Sequence, residues 1–462
     1  MKHISTLVFA LLFFGNNIAI SQNELMPQGG ARSIPQNEGH CLSQEDRIDI
    51  QEMLATNIQQ LRTEGRLLAD YTRGSHPLFS WPISQVEGFD YNSVWVLTNY
   101  LDHNTNFPNQ IEDYNCGTKS YDTDNGYNHQ GYDIITWPFW WKQMDDNQAQ
   151  NIAAADGQII GKMDGAFDRN CSFNPDPWNA VFVQHNDGSV TWYGHMKEGT
   201  LTTKDVGDSV SRGEFLGIVG SSGSSTVPHI HFEVYDNGGN LIDPNIGNCN
   251  DLNTDTWWED QKPYTHPTLN AALTHFAPPE FLECPATAIT NESNEFELGD
   301  TVYFAIYMKD QEPGSSIQHT ITRPDGSVFQ NFSFVFADYF NISFWYWPFE
   351  MDMEGLWTWE TSYMGDIVTR QFGVGILGNQ DNALAQFRAY PNPTQDEVTI
   401  QLGSSHTEIS LTITNMLGQI VHQEHFSNTE KISFEIEGNT GIYFATVKTN
   451  NGKKETLKIM KQ

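Results

Sequence analysis

The chain has few basic residues. It holds 24 Lys and Arg residues against 58 Asp and Glu residues, and its formal net charge is -34 over 462 residues. Because contacts to nucleic-acid phosphates require Lys and Arg side chains, this composition disfavours nucleic-acid binding. The acidic excess indicates solubility rather than a particular partner.

Long apolar runs are missing after the first 21 residues. Lys2 and His3 precede the apolar run 7–14, and small residues at 19–21 suit a cleavage site, so residues 1–21 are predicted to be a signal peptide. No later segment is apolar over the length that a membrane-spanning helix needs. We therefore expect an exported protein without a transmembrane segment, and we expect it to be a monomer.

Cysteine is scarce, and its spacing excludes two kinds of site. The five cysteines include no Cys-x-x-Cys pair, so neither a redox motif nor a structural zinc knuckle is indicated. Disulfides can persist in an exported protein. We predict two of them, Cys116 with Cys171 and Cys249 with Cys284, which leaves Cys41 unpaired.

The chain also has no His-Glu-x-x-His segment, so a helical metal site with a glutamate base is not supported. Chemistry-bearing residues occur instead in three separated fragments. They hold four histidines and one aspartate, namely His129, Asp133, His195, His229 and His231. Three protein ligands of mixed imidazole and carboxylate type leave zinc a fourth position for water. The fragments therefore predict a catalytic Zn²⁺ site for hydrolysis.

The spacing within the fragments favours a common site. Side chains on an extended strand alternate between its faces, so His229 and His231 project to one side. His129 and Asp133 are also an even number of residues apart. A helix would satisfy that spacing too, but Gly131 between them favours an extended or turning backbone.

In these fragments the chain resembles the lysostaphin-like zinc metallopeptidases, most of which cut peptide bonds in bacterial cell walls. The family motif His-x-x-x-Asp matches residues 129–133, Tyr-x-His matches 193–195, and His-x-His-Phe-Glu matches 229–233. The resemblance covers roughly residues 125–245.

The resemblance implies a role for each side chain. The implied zinc ligands are His129, Asp133 and His231. The implied catalytic pair is His195 and His229: one takes a proton from the attacking water and the other stabilises the oxyanion, and the sequence leaves open which does which. Glu233 follows His231 on the same strand face, and either orients a ligand or has a plain structural role.

The N-terminal region, residues 22–115, is predicted to contain one long helix. Apolar residues recur at helical spacing between residues 44 and 70, and Ser43 followed by Asp46 suits an N-cap. This helix could be a propeptide that covers the site, or a helix that precedes the domain and simply packs against it. We favour the second interpretation.

Two aromatic clusters invite a binding hypothesis. The first, residues 137–141, follows the first metal motif, and both a groove wall and ordinary packing stay open for it. The second, residues 344–347 with Trp357 and Trp359, lies in a region of short strands and turns, 285–376, predicted as an Ig-like β-sandwich. Its alternating tryptophans favour an inward core face.

Residues 388–462 differ in character from the chain before them. Apolar and polar residues alternate at 398–402 and 442–447, which predicts a small all-β module. The fragments 390–393 and 412–419, with the basic end, resemble the type A C-terminal sorting domain of the type-nine (Por) secretion system. The resemblance implies type-nine secretion machinery as a partner. It also implies export through periplasm and outer membrane, either to the cell surface or as a secreted protein.

Together these observations predict a mainly β fold. An antiparallel β-sheet zinc peptidase domain at 116–250 follows the N-terminal helix and precedes an Ig-like β-sandwich and a small C-terminal β-sandwich. The predicted function is a secreted zinc metalloendopeptidase that hydrolyses peptide bonds in peptidoglycan cross-links with a zinc-activated water. Two alternatives stay open: a peptidase acting on Gly-rich proteins, and a non-catalytic wall-binding or adhesive surface protein with a vestigial zinc site.

Overall fold

The computed structural model describes residues 25–33, 39–68, 75–375 and, with short gaps, 388–461. The predicted signal peptide, residues 1–21, lies outside the described residues. The described chain is mainly β-strand in antiparallel sheets, which confirms the predicted fold class. Within these ranges no helix is both long and apolar enough to cross a bilayer.

The first half of the chain holds both described helices and the strands that carry the metal motifs. These elements are β1 (Gln28–Ala31), α1 (Gln44–Thr63), β2 (Ile83–Gln85), β3 (Trp95–Asn99), β4 (Tyr132–Thr136), α2 (Trp140–Asp145), β5 (Ala149–Ile152), β6 (Gly157–Met163), β7 (Ala180–Gln184), β8 (Val190–Gly194), β9 (Ser209–Val210), β10 (Phe215–Ile218), β11 (His229–Tyr235) and β12 (Leu241–Ile242).

An eight-stranded sheet carries all three metal motifs. Its strand order is β3-β4-β11-β8-β7-β6-β9, with β12 paired to β11. The strands β4, β7 and β11 are buried along their whole length. A three-stranded sheet, β10-β5-β2, shares one apolar core with it, so the site stands on a rigid two-sheet scaffold.

Helix α1 packs on one face of this sheet, and its buried residues share a core with Ile160 of β6, Phe182 of β7 and Trp192 of β8. It begins with a capping box: Ser43 Oγ accepts from the Asp46 N–H, and the Asp46 carboxylate accepts from the Ser43 N–H. This confirms the predicted N-cap. The helix ends at Thr63 rather than residue 70, because Gly65 takes a left-handed conformation with φ of 70° that terminates it.

A glycine of the sheet lies directly under α1. A Cβ added at Gly161 of β6 would lie 2.5 Å from Leu54 Cδ2, so a side chain there would require Leu54 to move. Leu54 is buried together with Ile50 and Leu61, whereas Ile48 faces solvent.

The predicted disulfide pairing is wrong. Within the described residues the disulfides are Cys116–Cys249 and Cys171–Cys284, and the unpaired cysteine is Cys41, as predicted. Sequence proximity had suggested the pairs, but the fold brings distant segments together. The Cys249 N–H donates to the Tyr114 carbonyl at 3.0 Å, and Arg169 Nε donates to the Pro285 carbonyl at 2.8 Å.

The middle of the chain forms two sheets that face each other across a second core. Its strands are β13 (Thr268–His275), β14 (Glu295–Phe296), β15 (Thr301–Gln311), β16 (Ser316–Thr322), β17 (Val328–Val335), β18 (Phe340–Glu350), β19 (Gly355–Tyr363) and β20 (Asp366–Val374). The sheets have the orders β1-β18-β15-β13 and β14-β20-β19-β16-β17. Trp347, Trp357 and Trp359 are buried between them, as their alternation predicts, while Trp345 stays partly exposed.

The aromatic cluster at 137–141 is also core. Trp137, Trp140 and Trp141 are each buried, and the Trp137 ring stacks on Phe281. Of the two interpretations left open, packing is therefore the observed one.

The last part of the chain folds into two small sheets around its own core. Its strands are β21 (Arg388–Tyr390), β22 (Glu397–His406), β23 (Ile409–Asn415), β24 (Ile420–Phe426), β25 (Thr429–Glu435), β26 (Gly441–Thr449) and β27 (Lys454–Lys461). The sheets have the orders β21-β22-β25 and β24-β23-β26-β27. Inward-facing apolar residues of both sheets, such as Ile400 and Ile413, fill the core between them.

Candidate metal centre

Strand register brings the three metal motifs together. In the antiparallel pair β11 and β4, His231 lies opposite Asp133, and in the pair β11 and β8 it lies opposite Gly194. His195 directly follows β8, and His129 lies in the loop before β4. All five predicted site residues therefore converge at one end of three neighbouring strands.

Three of these side chains point donor atoms at a common centre. His129 Nε2 lies 3.2 Å from Asp133 Oδ2, His231 Nδ1 lies 2.8 Å from Asp133 Oδ1, and the two nitrogens are 3.3 Å apart. Nitrogen and oxygen ligands stand about 2.0–2.2 Å from a tetrahedral zinc ion, hence roughly 3.3–3.5 Å from each other. The kinds of donor fit Zn²⁺, and two of the three spacings are close to the expected range, while His231 Nδ1 and Asp133 Oδ1 lie at a shorter, hydrogen-bond distance.

Hydrogen bonds orient both imidazoles. His129 Nδ1 donates to the Tyr100 carbonyl at 2.7 Å, so this ring presents Nε2 as a bare lone pair, which is what metal binding requires. Both nitrogens of His231 face carboxylates, Nε2 at 2.6 Å from Glu233 Oε1 and Nδ1 at 2.8 Å from Asp133 Oδ1, so metal binding at Nδ1 would displace any proton held there. Glu233 thus orients the His231 ring in this structure.

The carboxylates of the centre are held in the charged form. Burial raises the pKa of Asp133, but the neighbouring His129 and His231 rings outweigh it and bring that pKa well below its usual range. Burial likewise raises the pKa of Glu233, yet the Arg47 guanidinium and His231 lower it below its usual range. Both carboxyl groups are therefore ionised at neutral pH.

His195 and His229 lie beside the same centre. Their Nδ1 atoms donate to the carbonyls of Ser222, at 2.6 Å, and Val227, at 2.7 Å, so each ring turns Nε2 inward. The ring centroids are 4.3 Å apart, and His229 Nε2 lies 3.6 Å from Asp133 Oδ1. Burial lowers the pKa of both imidazoles, which keeps them neutral and able to accept a proton.

The backbone of His195 is strained in order to place this ring. Its φ is 61°, a left-handed value that is uncommon for residues other than glycine. Gly194 before it has no room for a side chain, since an added Cβ would lie 1.9 Å from the Trp178 ring. Strain held in place by surrounding structure is common at functional sites.

Sequence reasoning missed two residues of the centre. Cys41 Sγ lies 3.0 Å from His195 Nε2, and nothing in the sequence around Cys41 signals this. Arg47 Nη1 donates to Glu233 Oε2 at 2.6 Å, with both side chains almost fully buried. Arg47 had a usable signal, because it lies three and seven residues before Ile50 and Leu54 and so shares the buried face of α1.

The Arg47–Glu233 pair allows a stability prediction. Arg47→Met leaves the buried Glu233 carboxylate without its guanidinium partner and with only His231 and Tyr235 bonded to it, so we expect the free energy of unfolding to fall by about 3–5 kcal/mol. The matched control is Arg66→Met, since Arg66 and its partner Glu64 are both solvent-exposed and such pairs contribute about 0–1 kcal/mol. Thermal unfolding followed by circular dichroism checks both variants. Equal effects of the two substitutions would contradict the importance of the buried pair.

Two parts of the chain match known families. Residues 146–244 match the model described as Peptidase family M23, and residues 388–462 match the Secretion system C-terminal sorting domain. The chain thus contains a metallopeptidase domain of family M23, the lysostaphin-like family, and a C-terminal secretion sorting domain. His129 and Asp133 precede the matched residues. Their assignment to the site is therefore supported by the geometry described above and not by the family match.

Individual relatives share short stretches with the chain. An uncharacterized metalloprotease of Buchnera aphidicola is 29% identical over 117 residues, which are 25% of this chain and 29% of that protein. The peptidoglycan DD-endopeptidase ShyC of Vibrio cholerae is 32% identical over 87 residues, 19% of each chain. The chain therefore spans less than a third of the length of these curated relatives.

One solved structure that resembles the chain is the catalytic domain of the antimicrobial peptidase lysostaphin from Staphylococcus simulans. It is 26% identical, and the match covers 27% of this chain and 83% of that domain with a TM-score of 0.20.

Proposed function

We propose that this protein is a secreted zinc metalloendopeptidase that hydrolyses peptide bonds in peptidoglycan cross-links. The observation that carries the proposal is the convergence of His129 Nε2, the Asp133 carboxylate and His231 Nδ1, whose nearest atoms lie 2.8–3.3 Å apart and are donors of the kinds that zinc binds. The substrate class is supported by the family M23 match and by the name of a relative, the peptidoglycan DD-endopeptidase of Vibrio cholerae.

The five side chains divide into a binding set and a proton-handling pair. His129, Asp133 and His231 would hold the zinc ion, which when bound lowers the pKa of water and polarises the scissile carbonyl. Tyr100 fixes the tautomer of His129, and Glu233 orients the His231 ring.

The proton-handling pair is His195 and His229. Each has its Nδ1–H already bonded to a carbonyl, so its bare Nε2 can accept the proton of the attacking water. The protonated ring can then give this proton to the leaving amine. To donate to the oxyanion of the tetrahedral intermediate, the neighbouring ring would first have to take up a proton from solvent at Nε2.

The rest of the chain is proposed to form further regions around the peptidase domain. The proposed division is a signal peptide at 1–21, a leader and helical region at 22–115, the peptidase domain at 116–250, an Ig-like sandwich at 285–376 and the sorting domain at 388–462. The match of the last segment to a secretion sorting domain supports type-nine secretion to the cell surface or beyond.

The test is cleavage of a defined substrate with and without a chelator. Because Cys41 Sγ lies 3.0 Å from His195 Nε2, the assay uses the chain from residue 22 both as wild type and as Cys41→Ala. We expect chelator-sensitive release of wall peptides from sacculi, with the cleaved bond read by mass mapping. If a Gly-rich protein is cleaved and wall peptides are not, the proposed substrate class would change from peptidoglycan to Gly-rich proteins. Chelator-insensitive binding to sacculi without cleavage would overturn the proposal in favour of an adhesive protein.

A further inference from the structure

Cys41 lies inside the metal centre although it comes from the N-terminal segment. Its side chain is 4% exposed, and its Sγ is 3.0 Å from His195 Nε2. Sγ and one ring nitrogen each of His195 and His231 lie within 4.8 Å of one another, the spacing of a possible metal site. The same His231 belongs to the group with His129 and Asp133. The two groups share His231, so a thiol, which is a kind of donor that zinc binds, lies beside the predicted ligands.

The chain on both sides of Cys41 is tied to the peptidase sheet. The His40 carbonyl accepts from Ser224 Oγ at 2.6 Å, in the Gly-rich loop before β11. Six residues after Cys41, Arg47 forms its buried ion pair with Glu233 on β11 itself. The thiol is thus positioned by contacts with the same strand and loop that form the centre.

The segment also covers the centre. The side chains of the predicted site are all less than one-tenth exposed: His129, Asp133, His195, His229 and His231. A peptide substrate must bring its scissile carbonyl to these atoms. Cys41 Sγ lies against His195 Nε2, the atom that would take the proton of the attacking water in the proposed function.

We propose that Cys41 Sγ is the fourth ligand of the zinc ion and that residues 39–63 hold the peptidase in a latent state. This inference rests on the proposed function. The thiol gives its proton to solvent on binding, and its sulfur occupies the position of the attacking water. Displacement of the segment returns that position to water. In this proposal residues 39–63 inhibit the peptidase, whereas the sequence favoured a helix that only packs against the domain.

The first measurement is zinc-edge X-ray absorption on the zinc-loaded chain from residue 22. We expect one sulfur at about 2.3 Å in the wild type and only nitrogen and oxygen at about 2.0–2.2 Å in Cys41→Ala and Cys41→Ser. In parallel, iodoacetamide should label Cys41 of the wild type slowly, and a chelator should accelerate labelling. Labelling needs no variant, so it also tests the proposal if the substitutions prevent folding.

The second measurement is hydrolysis of sacculi. If the latent state outnumbers the open state by about tenfold or more, Cys41→Ala should raise the rate by at least about tenfold. A matched pair of variants on α1 tests the cover itself. Leu54→Ala removes a buried contact of the helix and should speed both alkylation and hydrolysis, whereas Ile48→Ala, at an exposed position, should change neither.

The outcomes separate the two proposals. Zinc bound without sulfur, with equal rates for wild type and Cys41→Ala, overturns the role of Cys41 and leaves the proposed function standing. No zinc and no cleavage in either chain overturns the proposed function itself. A zinc–sulfur signal with unchanged rates would show a fourth ligand that does not inhibit, and would overturn the latency.

Discussion

Replacing His129 with alanine is expected to abolish zinc binding and hydrolysis together. His129 Nε2 is one of three donor atoms around the centre, and the charged, buried Asp133 lies 3.2 Å from it. Without that imidazole only two of the three proposed ligands remain. Loss of an outer partner of a metal ligand costs about 10–100-fold in affinity or activity, so loss of a ligand should cost more.

Metal analysis and sacculus cleavage check this expectation, both measured in chains that also carry Cys41→Ala. The control is His76→Ala. His76 stacks on Trp257 and bonds Asp255, outside the centre, so its loss should leave zinc content and rate unchanged. A His129→Ala chain that keeps one zinc ion per molecule and its activity would remove His129 from the ligand set.

Replacing His195 should have the opposite pattern, with zinc retained and turnover lost. Its Nε2 faces the centre but its ring is absent from the close group of His129, Asp133 and His231. General acid–base catalysis contributes about 10²–10⁴-fold, so kcat should fall by that factor. His229→Ala should behave similarly, because its ring has the same tautomer and faces the same centre.

The choice of substitution matters at this position. Because His195 has a φ of 61°, alanine adds backbone strain, whereas asparagine tolerates left-handed conformations better. His195→Asn is therefore the variant that removes the imidazole with the least change in backbone. Zinc content by mass spectrometry and kcat on wall peptides are the measurements, again with Cys41→Ala present. Loss of zinc in the His195 variants alone would assign His195 to the ligands.

Much of the scaffold of the centre could be predicted because it depends on local periodicity. The alternation of His229 and His231 follows from the two-residue repeat of a strand, and both lie on β11. The capping box at Ser43 is also a local signal, and it was predicted correctly. The roles of the five side chains remain predictions, which the variants above test.

The end of α1 shows the limit of local reasoning. Apolar spacing continues past residue 63, but the left-handed Gly65 ends the helix. The aromatic cluster at 137–141 left two interpretations open for a related reason. A tryptophan fits a groove wall or a core equally well by composition, and only the packing of Phe281 on Trp137 decides.

The sequence by itself determined the mainly β fold class, the three metal motifs and the sorting segment, since each depends on residue types at short, fixed spacings. The tertiary structure decided what depends on residues far apart in the chain. It paired Cys116 with Cys249 across 133 residues, placed Arg47 against Glu233, and brought Cys41 to His195. No periodicity encodes such contacts, because they form only when the sheet has folded and the N-terminal segment has packed onto it.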